Sequence, residues 1–327
     1  MIRPTHAYAV ALLVALAASP AAAQTLPSGV INAPPTVIGD NESIGSDTIL
    51  NVMEGGSVGA NFEAMSGSIV NVSGGAIGDD FTAINSTVNF SSGTIGGFFR
   101  ALQDSTVNIT GGDPGALVVG SDSVANINSG IDGVFLTAAG GGVININAGK
   151  TDGVISIFDG GVMNVNGGEI EGGPVVNPGG QINLNDGTME SVTLISGFFV
   201  MNGGTITGSV GANRGSVILR GGTVEGGLGI GRALTIEGTE FYLDGVMIDL
   251  EPGVRTVIPD RDVVLSGLLA DGTPFDVDLF ETREGGRDSI SPVATLTLTL
   301  VVPEPSTAAL LSLFAAMGAP RRSPRAA

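Results

Sequence analysis

Cysteine and tryptophan are absent from this 327-residue chain, and histidine occurs once, at His6. Lys150 is the only lysine. Without cysteine there is no disulfide framework and no thiolate nucleophile or ligand. His6 lies in an N-terminal stretch that reads as removable, so the remaining chain holds no Ser-His-Asp or Cys-His system and no His- or Cys-ligated zinc. One lysine leaves a phosphate-cradling loop almost nothing to work with. Positive charge is scarce throughout: residues 24–303 carry 31 acidic and nine basic side chains, a net charge near −22. Such a surface repels nucleic acid and anionic lipid and attracts divalent cations or basic partners.

What is present is aliphatic and periodic. Hydrophobic residues make up 43% of the chain and 53 residues are glycine. A β-rich triplet with a central Asn recurs with Asn51, Asn71, Asn89, Asn108, Asn126, Asn145, Asn164 and Asn183 at its centre, at spacings of 20, 18, 19, 18, 19, 19 and 19. Phe199-Val200-Met201, Val217-Ile218-Leu219 and Leu234-Thr235-Ile236 keep the frame without the Asn. A fixed period of this length predicts a solenoid in which each repeat is one rung.

The segment Ser105-Thr106-Val107-Asn108-Ile109-Thr110-Gly111-Gly112 shows how one rung is built. Val107 and Ile109 alternate with polar neighbours at the period of a half-buried strand, and the Gly pair turns the chain. A second aliphatic position follows the turn, at Val58, Ile77, Ile95, Ile131, Ile170, Ile206 and Val224, and a third precedes the next strand, at Ile84 and Leu102. Three apolar faces per coil predict an all-β fold: a single-stranded parallel β-helix of about eleven coils of 17–20 residues. One coil cannot offset the entropy of ordering its own backbone, so the coils must stack. At about 4.8 Å per rung the stack would be roughly 50 Å long.

Five segments follow. Residues 1–23, with Arg3, an apolar run from Ala9 to Ala17 and small residues before Gln24, read as a secretory signal peptide cleaved between Ala23 and Gln24. Residues 24–48 read as leader and N-terminal cap, 49–240 as the β-helix, and 241–302 as a C-terminal β cap with longer, more charged strands. In residues 303–327, Pro303-Glu304-Pro305 precedes a short apolar segment and then Arg321, Arg322 and Arg325. That order resembles the PEP-CTERM sorting tail. The resemblance implies export, a transient encounter with an exosortase-type membrane protease, membrane contact only through the tail, and a host that makes exopolysaccharide. The Val-Asn-Ile-x-Gly-Gly phrasing resembles autotransporter passenger repeats, and the cap resembles the terminal β region of other exported bacterial repeat proteins.

Several residues invite a functional reading. Strand alternation points the Asn column outward, either as a polar surface for sugar hydroxyls or as amides bonded rung to rung. Asp276 and Asp278 share a strand face about 7 Å apart, near the separation of a glycosidase acid and base, although without a burial signal they read first as a solvated strand face. Asp79-Asp80, Asp260/Asp262 and Glu281/Glu284 are weaker versions, and calcium could bridge some of them, although the nonapeptide of calcium-binding β-rolls does not recur. Gly227 to Gly231 lacks the strand-turn-helix setting of a dinucleotide loop. The sequons at Asn41, Asn71, Asn85, Asn89 and Asn108 follow from repeat composition. Phe98-Phe99 and Phe198-Phe199 each place one ring outside, where it packs on a loop or, as the sharper alternative, stacks on a sugar. Arg214, Arg220 and Arg232 form the one basic column.

The expectation is a non-catalytic exported protein of the cell surface or extracellular matrix, structural or adhesive, linked to exopolysaccharide or biofilm. Its expected partners are polysaccharide or neighbouring surface proteins, with no nucleic acid and no cofactor or metal. A polysaccharide-degrading β-helix enzyme and a calcium-dependent matrix protein are the alternatives.

Overall fold

In the computed structural model, residues 24–279 and 288–302 are described. The expected signal peptide with Ala23, the tail with Pro303, Glu304 and Pro305, and Glu281 and Glu284 lie outside them. The described elements are all strands. Repeats pair in parallel at one rung per repeat, so Asn108 faces Asn126, Asn126 faces Asn145, and Asn145 faces Asn164. Alternation does what β-branched sequences favour: Val107 and Ile109 are fully buried while Thr106 and Asn108 keep partial exposure. The result is a parallel β-solenoid with three faces per coil.

The first, which we call the ladder face, carries the Asn strands such as Thr106–Ile109 and Val124–Ile127. The second is short and holds Val58, Ile77, Ile95, Ile131, Ile170 and Ile206, all buried, whereas Val224 is only partly so. The third carries strands such as Phe81–Ile84, Phe98–Leu102 and Ala116–Val119. Here one expectation is corrected. Ile84 and Leu102 are half-exposed, and the inward residues are Phe81, Ala83, Phe99 and Ala101. The period-2 pleat decides this, because Ile84 and Leu102 lie an odd number of positions from the rings that fill the core. Phe62, Phe81 and Phe99 stack along the axis, at centroid distances of 5.8 and 4.8 Å, and Leu117 and Leu136 continue the column.

The corners explain the choice of polar residues. Asn85, Asp104 and Asp122 occupy one corner in successive rungs with φ of 46°, 63° and 61°, a conformation Asn and Asp tolerate better than most residues. Glycine takes the same corner higher up, at Gly141, Gly160 and Gly179. Next to it runs a buried Ser column in which the Ser86 N–H donates to Ser105 Oγ at 3.2 Å and the Ser105 N–H to Ser123 Oγ at 3.0 Å. Asp104 and Asp122 thus owe their place to the backbone conformation of the corner.

Both ends differ from the expected segmentation. Residues 24–48 form a rung of the stack: Gln24 pairs with Glu42, and Asn32 with Asn51. The boundary expected at 240/241 falls inside one continuous strand, Ala233–Leu243. That strand turns into an antiparallel unit with Val264–Leu269 and Pro274–Asp278. The chain then returns, laying Ser289–Ile290 and Thr295–Leu300 in parallel on the last repeat, and Arg255–Val257 pairs antiparallel with that returning strand. The C-terminal sheet edge is thereby covered.

Candidate functional surface

The Asn column is a continuous amide chain. Each Nδ2 donates to the Oδ1 of the Asn one rung toward the N-terminus: Asn71 to Asn51 at 2.9 Å, Asn89 to Asn71 at 2.9 Å, Asn108 to Asn89 at 3.0 Å, and Asn126 to Asn108 at 3.0 Å. Asn145, Asn164 and Asn183 continue it at 2.9, 2.8 and 2.8 Å. Asn32, which sequence reading missed, accepts from Asn51 at 2.8 Å and extends the chain by a rung. At the other end Val200 offers no amide, and Gln181 Nε2 satisfies Asn183 Oδ1 at 2.7 Å.

A second ladder runs beside the first, two residues along each strand. Asn147 donates to Asn128, Asn166 to Asn147, Asn185 to Asn166, and Asn202 to Asn185, all within 2.7–2.9 Å. The signal was the Asn-x-Asn phrase at Asn126, Asn145, Asn164 and Asn183, which the repeat alignment on a single Asn hid. Arg220 ends this ladder, with Nη1 3.4 Å from Asn202 Oδ1 and two bonds to Glu237. The expected arginine column is thus divided. Arg232 donates to the Arg214 carbonyl oxygen, one rung away, while Arg220 lies beyond the intervening strand Ser216–Leu219 on the ladder face.

The third face carries the exposed rings. Phe98, Ala116, Phe135 and Val154 are in register on successive rungs, and Phe98, Phe135 and Val154 are 49%, 59% and 50% exposed. Arg100 holds its guanidinium 5.1 Å from the centroid of the Phe98 ring and pairs with Asp80 at 2.9 Å. Phe99 and Phe199 are buried, and Phe198 is the exposed ring of its pair, on the ladder face. Phe135 and Val154 stand outside any repeated sequence phrase, which is why periodicity did not find them.

Asp276 and Asp278 lie on Pro274–Asp278 with Val277 buried between them. The Asp278 N–H donates to Asp288, whose other oxygen accepts from the Leu228 N–H at 2.7 Å. Asp288 is 4% exposed and ties the cap to the last coils. The cavity beside Asp276 and Phe275 is about 80 Å³, small against the roughly 300–1,000 Å³ of ligand pockets. On the second face Asp152, Glu169, Glu171 and Glu190 line an open acidic groove, and Lys150 pairs with Glu171 at 2.6 Å. That hydrogen bond to Glu171 raises the Lys150 pKa above its ordinary value. Asp79, Asp80 and Asp262 sit at bends and Asp260 in an irregular stretch, and among the described residues no group of three or more His, Cys, Asp or Glu is arranged to hold a metal ion. The chain matches no family model, no curated protein and no solved structure.

Proposed function

We propose that this is an exported, non-catalytic protein of the bacterial surface or extracellular matrix that holds polysaccharide along its third face. The observation that carries the reading is the in-register column of Phe98, Ala116, Phe135 and Val154 on a flat sheet. Phe98 and Phe135 are two rungs apart, roughly 10 Å along the axis, so one extended polymer can meet both rings. Exposed rings on a rigid sheet bind through apolar area without ordering a loop. A repeating scaffold suits a repeating ligand, and its long flat faces need no enclosed pocket. The export signal and the PEP-CTERM-like tail with Pro303, Glu304 and Pro305 support the location, with an exosortase-type protease as transient partner.

The test is co-sedimentation of the chain with the producing organism's own extracellular polysaccharide. The Phe98→Ala, Phe135→Ala double variant should bind at least about tenfold more weakly with its melting temperature unchanged, as loss of exposed stacking area predicts. Equal binding by the variant would remove the third face from the reading.

A further inference from the structure

The ladder face has a property that the rest of this acidic surface lacks. Its outward positions carry no charge from the Val30–Asn32 rung to the Phe198–Val200 rung. Three columns run side by side there. One is aliphatic or hydroxylic, as at Ile69, Thr106, Val124 and Val143, and closes with Gln181 and Phe198; the next is the Asn ladder, ending at Val200; the third is Ser, Thr or the second Asn ladder, with Met53 at its start. Within each ladder the amides bond along the axis, each spending one donor and one acceptor on its neighbours, which fixes the outward side chains in a regular, uncharged array.

We propose that this face is an interface between two copies of the chain, packed sheet on sheet about a two-fold axis. Two arguments select a second copy as the occupant. The first is charge. With a formal net charge of −19, two chains repel wherever carboxylates meet, and here none do. The second is area. Ten rungs by three outward columns span roughly 45 by 15–20 Å, or roughly 700–900 Å², which matches the ~800 Å² per partner of a stable interface. The apolar third-face patch spans only the four rungs from Phe98 to Val154 and carries the Arg100–Asp80 pair at its edge. A flat repeating face is complementary to itself, and two such sheets pack about 10 Å apart with side chains interdigitating. Polysaccharide fits this face less well, because its apolar column is mostly aliphatic and Phe198 is the one ring among its outward positions. The inference names a partner for the structural role proposed above and rests on that reading for its purpose, not for its geometry. The dimer would leave both third faces outward, so it could join two polymer chains.

The test is sedimentation equilibrium of the protein purified from expression of the full chain, at low and high salt. We expect a monomer–dimer equilibrium that tightens as salt screens the repulsion between acidic bodies. Val124→Glu, half-way along the face in the column beside the Asn ladder, should raise the dimer Kd at least about 100-fold, because each copy then buries an unpaired carboxylate in the interface. Val154→Glu, on the third face, should leave it unchanged. If Val124→Glu lowers the melting temperature, Ser91→Glu, exposed on the same face, carries the same expectation. A monomer at every concentration and salt overturns the inference, and so does an association broken by Val154→Glu and not by the ladder-face variants. Polymer binding lost in Val124→Glu while the parent chain stays monomeric would make the ladder face a glycan surface and equally overturn it. Failure of polysaccharide to bind an intact dimer would instead count against the function proposed above.

Discussion

At the residue scale the ladder asparagines act by their position in a chain of amides. Asn145 gives one bond and takes one, so Asn145→Ala should cost about 1–2 kcal/mol in chemical denaturation, partial exposure keeping it low. Asn145→Asp should cost more, since a carboxylate would face the Asn126 oxygen in place of a donor. Asn32 accepts one bond at the exposed end, and Asn32→Ala should cost no more than about 0.5–1 kcal/mol. Equal losses at both sites would contradict the ladder as a stabilising chain. Lys150 gives a pH signature. Its folded-state pKa is raised, so its stabilisation is complete below the ordinary 10.5 and is lost as pH climbs through the higher folded value. The melting temperatures of the parent and Lys150→Met should therefore differ at neutral pH and converge in strong alkali. The outward direction of Asn51 to Asn183 could be read from alternation alone. Asn32 could not, because Pro34 and Pro35 interrupt the phrase after it and disguise its rung as a leader.

At the scale of elements, the repeat strands were readable because each carries its own period-2 pattern, and each register step equals one repeat. Reading failed where pairing is distant in sequence. Gly229 pairs with Ser289 and Ala233 with Thr295 across an antiparallel unit of about fifty residues, and no local pattern marks that return. Reading also failed at corners, where the Asn, Asp and Gly that share a left-handed conformation look like unrelated polar residues. Asp288 is the pin of the returning segment. Asp288→Ala leaves the Leu228 and Asp278 N–H groups without their acceptor, at a cost of about 2–4 kcal/mol. Limited proteolysis should then cut within residues 241–302 while the coils before them stay resistant. Cleavage spread evenly along the chain would show that the cap and the stack unfold as one unit.

For the whole molecule, charge and periodicity act together. Carboxylates gather at corners such as Asp104 and Asp122, on the second face at Asp152, Glu169, Glu171 and Glu190, and in the C-terminal unit, while the ladder face carries no charge at its outward positions from Val30 to Val200. Composition already excluded cysteine chemistry and left His6 as the single histidine, and it said nothing about which face is aromatic and which is amide. That division depends on a rung-by-rung register that only the folded chain displays. The central claim is that this solenoid binds a polymer without cutting it. The most direct measurement incubates the protein with the producing organism's extracellular polysaccharide and follows both components by size-exclusion chromatography. Co-elution of protein and polymer, with the polymer's length unchanged, is the predicted result. A shortened polymer would contradict the account and turn attention to Asp276 and Asp278.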